Sequence, residues 1–207
     1  MPLLRRVVAC GLAALLVLGE AQAAYTPSGL ELIEEITASS SATVEFKKGI
    51  DTVHKLYVIE YWGVRPATDI TILELHASTN GGSTWDTGNN YEWSMRCTWS
   101  VNGPAYGVDQ AAATNRIALV DTAAGDDSEA GNGTYEDGAG TIYVYDPAAG
   151  SKYTRFRFST MYVEFNGVPT HVDGNATYKV TTAVNALRFR FSSGNIAAGT
   201  FRLYGIR

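Results

Sequence analysis

Tyr91-Glu92-Trp93-Ser94-Met95-Arg96-Cys97-Thr98-Trp99 is the run on which the reading of the fold turns. Aromatic and apolar residues take every second place, and Glu92, Ser94, Arg96 and Thr98 fill the places between. Side chains of an extended chain point alternately to opposite faces. The run therefore predicts a strand with one face on a core and the other in water. The pattern recurs: Leu187, Phe189 and Phe191 alternate with Arg188 and Arg190, and Phe156 and Phe158 with Arg155 and Arg157. Leu56 and Val58 oppose Tyr57, Ile59 and Tyr61, which predicts a strand covered on both faces.

Further strands are expected at 30–37, 43–46, 70–77, 117–120, 141–145, 161–165, 177–181 and 200–206. Turn-forming residues stand between the runs, at Arg65-Pro66-Ala67, Asn80-Gly81-Gly82, Asp146-Pro147, Asn166-Gly167, Asp173-Gly174 and Ser193-Gly194-Asn195. The stretch 122–140, rich in Gly, Asp and Ala, is expected to be a long loop. Beyond the N-terminus no apolar period of 3.6 residues is sustained. About ten short strands without intervening helices predict an all-β fold, an antiparallel β-sandwich of jelly-roll-like type. Residues 24–207 are read as one such domain.

Composition narrows the function. The 207 residues carry a net charge of −5, with 45% hydrophobic and 18% charged residues. Clustered Lys/Arg and a basic pI, the footprint of nucleic-acid binding, are missing, so no nucleic acid is expected among the partners. Two cysteines make neither a disulfide scaffold nor a four-thiolate zinc site. Residues 1–23 differ from the rest: Arg5 and Arg6 precede an apolar run from Val7 to Leu18, and Ala21-Gln22-Ala23 follows. That is the layout of a signal-peptide leader cleaved after Ala23. Its apolar run is shorter than the ~20 residues a bilayer-spanning helix needs. Cleavage would leave Cys97 as the one cysteine, expected to be a small buried apolar residue.

Catalytic chemistry is not signalled. His54, His76 and His171 show no metal-ligand spacing. His76 and Glu74 fall on one strand face, where a solvent-facing polar row accounts for them better than a metal does. Asp126, Asp127 and Glu129 crowd a glycine-rich loop but lack the oxygen spacing of a calcium loop. Neither a Gly-x-Ser-x-Gly elbow nor a phosphate loop occurs. Asn132-Gly133-Thr134 and Asn175-Ala176-Thr177 fit the glycosylation triplet. No catalytic residue, metal ligand or cofactor is assigned.

Ser78-Thr79-Asn80-Gly81-Gly82-Ser83-Thr84-Trp85 resembles the Asp-box hairpin of sialidases and other β-propellers, with Asn80 in the place of the Asp. A single copy in a short chain argues for a tight turn with Trp85 folded back on it, not for a propeller.

A wider resemblance runs through Leu32-Ile33-Glu34-Glu35, Thr37 to Phe46, Tyr57-Val58-Ile59-Glu60 and Pro66-Ala67-Thr68-Asp69. It ends on Ser193-Gly194-Asn195-Ile196, then Gly199-Thr200 and Leu203-Tyr204-Gly205-Ile206. In this order and spacing the chain resembles a group of tailed-phage and prophage virion proteins, capsid-associated or tail-fibre-like. The resemblance implies a non-enzymatic structural module in a capsid-decorating, head-associated or tail position. Its partners would be itself, as a homo-oligomer such as a trimer, and other virion proteins. Its location would be the virion, or the extracellular space if the leader is cleaved. A second expectation comes from the residues alone. Trp62, Trp85, Trp99 and Tyr106 lie in or beside turn-rich segments, where exposed rings stack on sugars, as in a lectin-like module that binds cell-surface glycans.

Overall fold

The computed structural model describes residues 29–100, 104–120 and 129–206. The leader at 1–23 and the carboxylates Asp126 and Asp127 lie outside the described residues. Strands are numbered in chain order. The larger sheet holds, side by side, β1 (Leu30–Ser41), β12 (Ile196–Ile206), β3 (Leu56–Pro66) and β8 (Gly138–Tyr145). It continues through β9 (Thr154–Val163), β10 (Pro169–Tyr178), β5 (Tyr91–Ser100) and β6 (Pro104–Thr114). The smaller sheet is β2 (Val44–Phe46), β11 (Ala186–Phe191), β4 (Leu73–Ser78) and β7 (Ile117–Ala118). Each neighbouring pair whose register is known is antiparallel.

The fold is an all-β sandwich with a jelly-roll framework. β1, β12, β3 and β8 make one layer, and β2, β11, β4 and β7 make the other, with the chain stepping repeatedly between them. Two hairpins are inserted in this framework, β5–β6 after β4 and β9–β10 after β8, and both extend the larger sheet. Among the described residues twelve strands stand against about ten expected: the runs 155–158 and 161–165 join in β9, while β6 and most of β10 are not among the expected strands. β6 is an edge strand of Ala, Gly and single apolar residues. In β10 the predicted Asp173-Gly174 turn is mid-strand instead. Gly174 is extended there, and a Cβ on it would lie 2.2 Å from the Phe158 ring, so the glycine makes room for a neighbour rather than turning the chain.

The core lies between the layers. Phe46 of β2 and Phe189 of β11 meet edge to face at 6.3 Å, and Phe189 reaches Phe201 of β12 at 5.0 Å and Tyr61 of β3 at 6.2 Å. Non-parallel ring contacts of this kind favour the rings' quadrupoles while burying large apolar areas. Tyr61 is fully buried, so its hydroxyl needs a partner; it shares a 2.6 Å hydrogen bond with Thr160 Oγ1. Burial holds this phenol well above its ordinary ionisation range. Cys97 is buried in the same core, as expected.

Candidate functional site

Cross-strand register sorts the larger sheet's outer face into rows. One row runs Tyr204, Val58, Tyr143, Arg157, Asn175, Ser94 and Gln110. The next runs Arg202, Glu60, Thr141, Ser159, Asp173, Arg96 and Val108. These residues face outward because their strand neighbours Phe156, Phe158, Val172, Met95 and Cys97 fill the core. The face carries both apolar and charged groups. Leu30, Leu32, Tyr143 and Tyr145 are exposed at the β1–β12–β3–β8 end, and Met161, Tyr106 and Val108 at the other, the last two at 77% and 80%.

Depressions of about 510, 480 and 410 Å³ mark the part made by the inserted hairpins. The first lies along Thr98, Trp99, Met161 and His171, the second along Arg96, Thr98, Tyr106 and Val108. The third is floored by Ser94, Gln110, Asn175 and Thr177. Volumes of this size fall in the range of small-ligand sites. Asn175 donates to Ser94 Oγ at 3.1 Å.

The four aromatic candidates do not form one site. Trp62 stands on β3 under the Arg202 guanidinium, 4.8 Å from the ring centre. Trp85 lies on the other side of the sandwich, with Arg188 of β11 at 5.0 Å. Trp99 and Tyr106 are brought near each other at the β5–β6 end. Trp99 is half-buried, packs against the core and covers Gly107, where a Cβ would meet its ring at 3.1 Å. Tyr106 projects from the outer face.

Sequence reasoning missed a serine, histidine and aspartate that meet on this face. Ser159 Oγ lies 2.9 Å and Asp173 Oδ2 3.8 Å from His171 Nε2. A nucleophile relay needs the serine and the carboxylate on opposite ring nitrogens. Here both address one nitrogen, and the Asp173 carboxylate stands in solvent, so the trio is a polar surface group. No sequence signal could have found it, because the residues meet only through β9–β10 register.

The smaller sheet's outer face is closed. Glu74 and His76 of β4 share it, as their spacing predicts, but they are 3% and 2% exposed rather than solvent-facing. The segment 79–90 folds over them. Glu74 Oε2 accepts from Arg190 Nε at 2.7 Å and from His76 Nε2 at 3.2 Å, and Oε1 faces Arg116 Nε at 3.2 Å. Burial alone would raise the Glu74 pKa; the bonds from His76 and Arg190 and the charges of Arg190 and Arg116 outweigh it and hold the carboxyl below its ordinary value. Two guanidinium groups thus balance this carboxylate. Among the described residues no group of three or more His, Cys, Asp or Glu is placed to hold a metal.

The covering segment is tied at both ends. Ser78 Oγ accepts from Asn80 N and Gly82 N, and Asn80 Oδ1 accepts from Thr84 N at 2.9 Å. Gly81 and Gly82 take positive φ, as a tight hairpin turn requires. Asp86 then bonds across the sandwich, its Oδ2 accepting from Tyr178 Oη at 2.5 Å and from Asn90 Nδ2 at 2.9 Å. Tyr91 Oη donates to the Asp86 carbonyl and accepts from Ala77 N. Burial first, then the Asp86 carboxylate, raises the Tyr178 pKa and keeps that hydroxyl a donor.

No protein-family model matches the chain. Neither a curated protein nor a solved structure matches it.

Proposed function

We propose that the protein is a non-enzymatic structural module of a tailed-phage type particle, in a capsid-decorating, head-associated or tail position. It assembles with copies of itself through the open outer face of the larger sheet. The observation that carries this reading is the apolar group Leu30, Leu32, Tyr143 and Tyr145, which stands exposed on four adjacent-row positions of that face. A broad apolar area with a polar surround is what association of copies buries. Jelly rolls occur in viral capsid and lectin domains, which fits the reading without deciding it. The sequence resemblance to tailed-phage virion proteins points the same way.

The test is the mass of the purified protein by light scattering, together with protein mass spectrometry of gradient-purified particles. An oligomer that Leu32→Glu with Tyr145→Glu converts to a folded monomer supports the reading. A monomeric wild-type chain that is absent from particles overturns it.

A second reading, a lectin-like module, is favoured by one arrangement. Trp99 and Tyr106 flank two depressions that share Thr98, so a ring and hydroxyl-bonding groups stand side by side. Trp62 and Trp85 lie elsewhere and contribute to neither depression.

A further inference from the structure

Most arginines with described side chains have an assigned partner. Arg190 and Arg116 face Glu74, Arg202 pairs with Glu35, Arg65 donates to the Gly133 carbonyl, and Arg188 lies over Trp85. Arg96, Arg155 and Arg157 differ: among the described residues none of them has a carboxylate within ion-pair distance or a hydrogen-bond acceptor. All three are exposed, and all three face outward from the larger sheet.

Register places them around the polar depression. Arg157 stands across from Asn175 and Arg155 across from Thr177, on β9 beside β10. Arg96 lies on β5, next along the strand from Ser94. The two β9 guanidiniums are rooted about 7 Å apart, and neighbouring strands are about 4.8 Å apart. Beside the arginines lie amides and hydroxyls: Asn175 and Ser94 continue the row from Arg157 out to Gln110 on the edge strand, and Thr177 stands next to Arg155. The chain as a whole carries −5, whereas on this face of β9, β10 and β5 Arg155, Arg157, Arg96 and Lys179 outnumber Glu92 and Asp173, which stands across from Arg96, a local reversal of sign. Glu92 at the far end of the depression is already held by Lys179 at 3.0 Å.

We propose that this face binds an acidic polysaccharide, with Arg155, Arg157 and Arg96 taking its carboxylate or ester-anion groups and the amide and hydroxyl floor taking its sugar hydroxyls. Charge complementarity selects the anionic ligand, since a guanidinium offers paired N–H donors that match a planar carboxylate. The floor selects a sugar over a bare ion, because amide and hydroxyl groups can both donate to and accept from ring hydroxyls. The inference rests on the carbohydrate reading, extends it to the neighbouring depression along Ser94 and Asn175, and names the class of carbohydrate.

Affinity electrophoresis of the full chain through native gels tests it, with polygalacturonate, neutral dextran or no polymer in the gel. Retardation by polygalacturonate is expected, weakening as salt rises from about 0.02 M to about 0.2 M. In Arg155→Gln with Arg157→Gln the apparent affinity should fall by about tenfold or more, with the melting temperature kept. Lys47→Gln with Lys48→Gln, which removes the same charge beside the smaller sheet, should leave it unchanged. Equal loss in both double variants, or equal binding of a DNA duplex, means general ion exchange and overturns the proposal. Binding of dextran alone overturns the acidic assignment while the carbohydrate reading stands. Binding of neither polymer overturns both.

Discussion

The two outer faces of this sandwich solve opposite problems with similar residues. On the smaller sheet a carboxylate and a histidine are buried beside the segment 79–90, and two half-exposed arginines close over the carboxylate and answer its charge within hydrogen-bond reach. On the larger sheet three arginines and a row of aromatic and aliphatic side chains stand in solvent, answered by nothing among the described residues. Buried charge must be compensated internally or the fold does not hold. Exposed charge has no such obligation, so its arrangement is free to serve a partner. That contrast is why the larger sheet, not the conspicuous Glu74–His76 pair, is the candidate site.

The sharpest way to break the contrast is at Glu74. Glu74→Ala leaves the half-exposed Arg190 and Arg116 without their carboxylate and should cost about 2–3 kcal/mol in chemical denaturation. A cost below about 1 kcal/mol would mean that the covered face is not a sealed charge cluster. The same carboxylate sets a pH dependence. Its folded pKa lies below the ordinary value of 4.5, so the unfolded chain binds the proton more readily. Its contribution is therefore complete above that value and lost as pH falls through the lower, folded one. The stability gap between wild type and Glu74→Gln should narrow on acidification below pH 4.5, and a gap that widens would mean that the folded carboxyl holds its proton more tightly than the unfolded one.

Next in size is Gly174→Val, in the middle of the open sheet but on its inner side. The added side chain meets the Phe158 ring, and overpacking of this kind costs about 1–3 kcal/mol. An unchanged denaturation midpoint would show that the hairpin extension is looser than the packing implies.

Two tryptophans compare the faces directly. Trp85→Ala removes a half-buried ring of the covering segment and should lower stability by about 2 kcal/mol. Trp62→Ala loses an exposed ring and its contact with Arg202, about 1 kcal/mol or less. Reversal of that order by differential scanning calorimetry would put Trp85, not Trp62, among the rings available to a ligand. The smallest effect belongs to Arg155→Gln with Arg157→Gln, expected within about 0.5 kcal/mol of wild type because both side chains are exposed and neither has an ion-pair partner among the described residues. A larger loss would mean that these arginines hold the sheet together.

Much of the sandwich is readable along the chain. Alternation in β5, β9 and β11 follows directly from burial of one face, and the Asn80-Gly81-Gly82 turn from the positive φ that glycine tolerates. Where burial was weak the signal failed. β6 buries little along one edge, and β10 places a glycine where an apolar residue would have marked the strand. The candidate site was readable only in part. Trp99 and Tyr106 stood out by composition and position, but Arg155 and Arg157 read merely as the polar half of a strand.

Residue order by itself determined that the chain forms antiparallel strands with one apolar side, because the side-chain period of two is local geometry. Tertiary structure decided which polar sides were then covered. The spacing of Glu74 and His76 is that of any outward-facing pair, and Arg155 and Arg157 share it. The segment 79–90 crosses one face through the Asp86–Tyr178 bond, a contact between residues 92 positions apart. Long-range closure of that kind leaves no period in the sequence, yet it turns one charged row into a structural core and leaves the other exposed.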